Sequence, residues 1–228
     1  MTMTMTLRRL GYATVAACAL ISAAGVAAAE SPCAALGGSI GSEGTCHVHT
    51  DTPRYVVDLA FPVDYPDQEA VAGYLSQDRE QFVDWVQHAD PRWRDRPYQY
   101  TVRPSGYESA DTRSLVLEID DDTGLAHEGH PDTSYATFNY DLRAQAPITI
   151  EALIRPDPAA LDLLSSRVQT RLDQRGATLA DPGLHTYQNF ALTDDAVLFF
   201  FGESQVSGDR GGPLTVSVPR SELAAALA

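Results

Sequence analysis

The run Tyr187-Gln188-Asn189-Phe190-Ala191-Leu192-Thr193-Asp194-Asp195-Ala196-Val197-Leu198-Phe199-Phe200-Phe201 decides the fold class, with Leu214-Thr215-Val216-Ser217-Val218 following a break at Gly212-Pro213. Two β-rich apolar runs flank an Asp-Asp turn signal, and a third strand-like run comes after the break. Phe199-Phe200-Phe201 is apolar at every position, which fits a central strand covered on both faces better than a ligand box. The stretch carries none of the usual catalytic groups.

Working back from it, Asp157-Pro158 opens a helix, with Asp as N-cap and Pro at the first turn. Leu161, Leu164, Val168 and Leu172 form its buried stripe, and Gly176 suits its C-cap. Upstream, Ala136, Phe138, Tyr140 and Leu142 alternate, as do Leu115, Leu117 and Ile119, and Tyr98, Tyr100 and Val102. Asp120-Asp121-Asp122-Thr123-Gly124 reads as a turn. A second long helix is predicted from about Asp67 to His88. Val71, Tyr74, Leu75, Phe82, Trp85 and Val86 recur at helical spacing behind an acidic start at Asp64, Asp67 and Glu69. Tyr55, Val57, Leu59 and Phe61 alternate before it, and residues 34–45 read as a Gly- and Ser-rich loop. The predicted fold is α+β, with mixed or antiparallel sheets packed against two main helices. A short terminal helix is expected at 221–227.

The N-terminus reads as an export signal. Arg8 and Arg9 precede an apolar stretch from Leu10 to Val26 that ends in Ala27-Ala28-Ala29. Cleavage after Ala29 is expected; a lipoprotein box at Val15-Ala16-Ala17-Cys18 is the rival, weakened by apolar sequence continuing past Cys18. Removing residues 1–29 strips two arginines and no acids, taking the net charge from −15 to −17. All basic side chains are arginine. Such a field repels phosphate backbones and anionic headgroups, which excludes general nucleic-acid binding and disfavours stable membrane association after cleavage. The remaining cysteines, Cys33 and Cys46, allow a single intramolecular pairing in an oxidising compartment. Three regions follow: 1–29 as signal, 30–110 as an N-terminal α+β region with a disulfide-closed arm, and 111–228 as a C-terminal α+β domain.

Four motifs invite chemistry. Gly37-Gly38-Ser39-Ile40-Gly41 matches the G-x-S-x-G nucleophile elbow, but it lies inside the disulfide loop without the strand and helix that expose such a serine. His127-Glu128-Gly129-His130 offers two imidazoles and a carboxylate, and His47 and His49 would share a face if extended. Zinc would need three converging ligands, whereas His127 and His130 sit in a Gly- and Pro-bearing loop. Asp120 to Asp122 could suggest calcium, but the twelfth position of an EF-hand loop would be Pro131. Arg92, Trp93 and Arg94, with Arg96, form the one basic cluster, and Arg and Trp are enriched at binding hot spots. They are the predicted contact residues.

Several segments carry a family resemblance when taken in order: the Cys33/Cys46 pair, Phe61-Pro62 with Tyr65-Pro66-Asp67-Gln68, His130-Pro131, Pro147-Ile148-Thr149, Tyr187-Gln188-Asn189-Phe190 with Phe199-Phe200-Phe201, and Val218-Pro219-Arg220-Ser221. Together they resemble the MPT/MPB secreted immunogenic antigens of mycobacteria. From about Ser114 the chain is also similar to the domain that ends the extracellular part of RsiV, a lysozyme-sensing anti-sigma factor. The resemblance implies a secreted, actinobacterial, mixed α/β protein with a β-grasp-like element in its C-terminal half. It supplies no catalytic residues and no cofactor. In the RsiV group this domain takes part in protein binding, but the transmembrane and sigma-binding parts are missing here, so signalling does not carry over. The expected function is a non-catalytic module that binds a protein or envelope ligand. Alternatives are a small secreted envelope hydrolase or carbohydrate-modifying enzyme, and a metal-binding envelope protein.

Overall fold

The computed structural model describes residues 30–90, 96–123, 131–179, 182–208 and 212–228. Within them the chain is α+β. A short helix α1 (Pro32–Ala35) leads into a seven-stranded sheet whose order follows the chain: β1 (Ser39–Ile40), β2 (Thr45–Asp51), β3 (Tyr55–Pro62), β4 (Tyr98–Glu108), β5 (Thr112–Asp121), β6 (Asp132–Asp141) and β7 (Ala146–Pro147). All neighbours are antiparallel except β3 and β4, which are parallel because α2 (Gln68–His88) makes the crossover between them.

The α2 helix starts where the acidic cap predicts. Asp67 is the N-cap and accepts a hydrogen bond from the Ala70 N–H. Its Val71, Leu75, Phe82 and Val86 are buried with Val57, Leu59 and Phe61 of β3 and Leu115, Leu117 and Ile119 of β5. The C-terminal carbonyls of α2 are closed from outside the helix, since the Arg54 guanidinium donates to Val86 O and Ala89 O. Cys33 and Cys46 form a disulfide that pins α1 to β2.

The second core lies in the C-terminal part. After α3 (Ile150–Leu153), helix α4 (Pro158–Asp173) is capped by Asp157, whose carboxylate accepts from the Ala160 N–H. A two-stranded ribbon of β8 (Ala177–Leu179) and β11 (Val206–Gly208) and a three-stranded sheet complete the unit, followed by α5 (Arg220–Leu223). That sheet runs β12 (Leu214–Pro219), β10 (Ala196–Phe201), β9 (Phe190–Leu192). As expected, β10 is central and covered on both faces. Phe199 and Phe201 pack with Leu164, Val168 and Leu172 of α4, while Phe200 turns the other way into a cluster with Val116 and Ala191. Tyr107 and Tyr135 flank Phe200, with ring centroids 5.9 and 5.4 Å away.

Two details depart from the expected elements. Tyr187 does not begin a strand; it ends a 3-10 turn, Leu184–Tyr187, and its buried ring packs on Phe199 and Phe201. Residues 34–45 are not simply a loop, because β1 lies among them and pairs Ser39 with His47. Positions 110 and 111 lie in the turn between β4 and β5, inside the large sheet; the first core reaches Ala136 and the second begins at Ile150.

Candidate functional site

The two sheets meet over the outer face of β5 and β6. Strand β9 lies across that face with one edge unpaired by any described strand, and polar side chains of the large sheet close it. Thr137 Oγ1 accepts from the Phe190 N–H at 3.1 Å, Asn139 Nδ2 donates to Phe190 O at 2.9 Å, and Ser114 Oγ accepts from the Leu192 N–H at 3.0 Å. These side chains satisfy backbone groups that burial would otherwise strand. Ser114 and Asn139 are themselves buried, and the Asn139 Oδ1 has no hydrogen-bond partner among the described residues.

Beside this junction lies a cleft of about 570 Å³, a size that suits a small ligand or a short peptide. Its floor is β6 from Tyr135 to Asn139, one wall is Tyr65, Asp67, Ala70 and Tyr74 at the start of α2, and the other walls are residues 147–151 and 188–190. The aromatic wall is a packed unit, with Tyr65 and Tyr74 both edge-on to Phe138 at 6.4 and 5.8 Å. Burial raises the tyrosine hydroxyls: Tyr74 is pushed up to about 12, with Asp78 adding to the effect, and Tyr135 likewise to about 12. Both stay protonated near neutral pH and can donate a hydrogen bond.

The described lining holds no histidine, cysteine, lysine or arginine. Its hydroxyls have structural tasks as well, Thr137 on β9 and Thr149 as the N-cap of α3. Its charged side chains are Asp67 and Glu151. The cleft therefore offers apolar contact, hydrogen bonding and a negative rim, and its described lining lacks a base poised on a nucleophile.

A different arrangement sits on the exposed face of β1–β3. His49 Nδ1 lies 2.6 Å from Asp58 Oδ1, and this hydrogen bond, then the Asp58 charge, raises the imidazole above its ordinary value. Ser39 stands on the opposite side of β2 from Asp58 and pairs with His47. Gly38 beside it has no room for a side chain, since a Cβ would meet Cys46 Sγ at 2.7 Å and His47 O at 2.9 Å. Among the described residues no side-chain hydrogen bond joins Ser39 to either histidine, and the His49 and Asp58 side chains are 63% and 53% exposed. This face is open to solvent.

Arg92, Trp93 and Arg94, the predicted contact residues, lie outside the described residues, as do His127, His130, Cys18 and the cleavage position. Arg96 is described and pairs with the buried Asp122 at 3.2 Å. Asp120 closes onto Thr133 Oγ1 and Arg103 rather than facing its neighbours Asp121 and Asp122. No pattern in the sequence points to the cleft itself. Yet three segments that carry the family resemblance, Tyr65-Pro66-Asp67, Pro147-Ile148-Thr149 and Gln188-Asn189-Phe190, converge on its walls.

These features define an α+β protein whose two larger described sheets meet beside a ligand-sized cleft. The chain belongs to the family of the mycobacterial immunogenic proteins MPT64 and MPB64. It is 30% identical to MPT64 of Mycobacterium tuberculosis and to MPB64 of Mycobacterium bovis over 226 residues, covering 94% of this chain and 96% of each relative. It is 39% identical over 207 residues to a Mycobacterium tuberculosis protein named Esterase Rv3036c, covering 86% of this chain and 89% of that one. The family model "Protein of unknown function (DUF3298)" matches residues 151–221, most of the second core. A solved DUF3298 family protein from Pseudomonas aeruginosa shares the fold, with a TM-score of 0.56 at 13% identity over 83% of this chain and 96% of that one. A second, from Bacteroides fragilis, has a TM-score of 0.52 at 13% identity over 83% of this chain and 95% of that one. No described helix is long and apolar enough to cross a membrane.

Proposed function

We propose that this chain is an exported recognition protein that binds a partner macromolecule through the cleft between α2, β6 and β9. The observation that carries this reading is the convergence on one cleft of three segments that carry the family resemblance, within a described lining of aromatic rings and amides that has no base–nucleophile pair. Export rests on the signal-like N-terminus and the disulfide. The net charge of −15 argues against nucleic acid as the partner.

Ester hydrolysis is the second reading, favoured by the 39% identical relative named an esterase and by the His49–Asp58 hydrogen bond across β2 from Ser39. In it, Ser39 Oγ adds to the ester carbonyl and passes its proton through His49 Nε2 to the departing alcohol; water then frees the acid from the acyl-serine. The exposure of the pair weakens this reading, because electrostatic stabilisation in acyl transfer depends on an enclosed, preorganised site.

Purified mature protein assayed on p-nitrophenyl butyrate separates the two. Recognition predicts the same background rate for the wild type, Ser39→Ala and His49→Ala. Turnover lost in both variants, with unchanged thermal unfolding, would replace recognition by hydrolysis.

A further inference from the structure

The floor of the cleft is a strand edge that the described residues leave open. β6 pairs with β5 along its whole length, but on its other side, among the described residues, β7 pairs only with Tyr140 and Asp141, and the Ile148 N–H then donates to Asn139 O. Backbone groups of successive strand residues point to opposite sides, so those of Tyr135 and Thr137 face the same way as Asn139, into the cleft. No turn, loop or inter-element backbone hydrogen bond involves either residue among the described residues. The opening has a built end. Gly202 packs so close to β6 that a Cβ there would meet Thr133 O at 2.9 Å. Between Gly202 and β7 the gap takes about three or four extended residues at roughly 3.3 Å each. The contrast with β9 is informative: Ser114, Thr137 and Asn139 close that edge, and nothing comparable among the described residues closes this one.

We propose that the cleft takes an extended peptide segment of a partner protein as an added strand on β6, antiparallel to it and in line with β7. This rests on the recognition reading above. Main-chain bonds to Tyr135 and Thr137 would give affinity, and the two walls would select side chains. Residues opposite Tyr135 and Thr137 place their side chains beside Gln188 and Asn189, an amide wall that suits Ser, Thr or Asn. The alternate residues face Tyr65, Tyr74 and Phe138, an aromatic wall that suits Val or Ile. The charged groups at the rim are acidic, Asp67 and Glu151, and the whole chain is strongly negative. The segment is therefore flanked by Lys or Arg.

Residue-resolved amide exchange with the probe acetyl-Lys-Val-Ser-Val-Ser-Val-Lys-amide tests this on the intact mature protein. In the free protein, the Tyr135 and Thr137 amides exchange fast while Ala136 and Phe138, bonded to β5, exchange slowly; adding the peptide slows Tyr135 and Thr137. N-methylation of the two serine amides, which face β6, lowers affinity about tenfold or more, and N-methylation of the valines is tolerated. Slow exchange at Tyr135 and Thr137 before peptide is added overturns the proposal. So does equal binding of the serine-methylated peptide, or parent binding weaker than about 1 mM. Ala70→Trp, which fills the cleft from an exposed helix position, separates the levels. If it abolishes binding while serine methylation does not, cleft recognition stands and strand addition falls; if it leaves peptide binding intact, the recognition reading falls as well.

Discussion

Ser114, Thr137 and Asn139 show why single polar residues in an alternating strand are ambiguous. By pattern they belong to a polar outer face, and pattern alone cannot say whether water or another sheet covers it. Here β9 covers them, and their side chains complete its backbone bonding. Ser114→Ala strands the buried Leu192 N–H, and should cost about 1–3 kcal/mol in denaturant unfolding. Asp121 gives a pH-dependent prediction. Burial chiefly, with Asp78 and Asp132 adding and Thr123 opposing, pushes its carboxyl up to about 6. The folded state thus favours the neutral acid, and its stabilising contribution, full below the unfolded value near 3.8, is lost as pH rises through about 6. Asp121→Asn should therefore gain on the wild type by about 1–2 kcal/mol between roughly pH 4 and pH 7, after allowing for partial exposure. A constant difference across that range would contradict the assignment.

At the scale of elements, the long helices are legible because cap and stripe agree. Asp67 and Asp157 both accept the N–H three residues on, and the helices begin immediately after them. Asp157→Ala should lower stability by about 1 kcal/mol. Phe82, only 4% exposed and packed on Tyr55 and Tyr100, should cost about 3–5 kcal/mol as Phe82→Ala. A near-zero loss in a melting experiment would mean that the α2 stripe is not core. Of the two- and three-residue strands, β1, β7, β8 and β11 are not legible, since so few residues show no period, while β9 is read as part of a longer apolar run. Tyr187 misleads for a related reason. A buried aromatic next to a β-rich run looks like its first residue, although the chain there turns as a 3-10 helix.

For the whole molecule, the disulfide closes a separation of 13 residues at the edge of the large sheet. The double variant Cys33→Ser/Cys46→Ser should lose about 3 kcal/mol, read as a shifted denaturant midpoint. The cleft is invisible from sequence because its walls come from residues near 65–74, 135–139, 147–151 and 188–190, and only tertiary packing brings them together. The family resemblance marks three of these segments without saying that they meet. Binding of the partner by this assembled cleft can be tested directly. The direct measurement is retention of secreted and envelope proteins on immobilised mature protein, comparing wild type, Ala70→Trp and Ser39→Ala, all folded by their melting curves. A partner should be retained by the wild type and Ser39→Ala and lost from Ala70→Trp; retention by the filled cleft, or loss with Ser39→Ala alone, would contradict binding at the cleft.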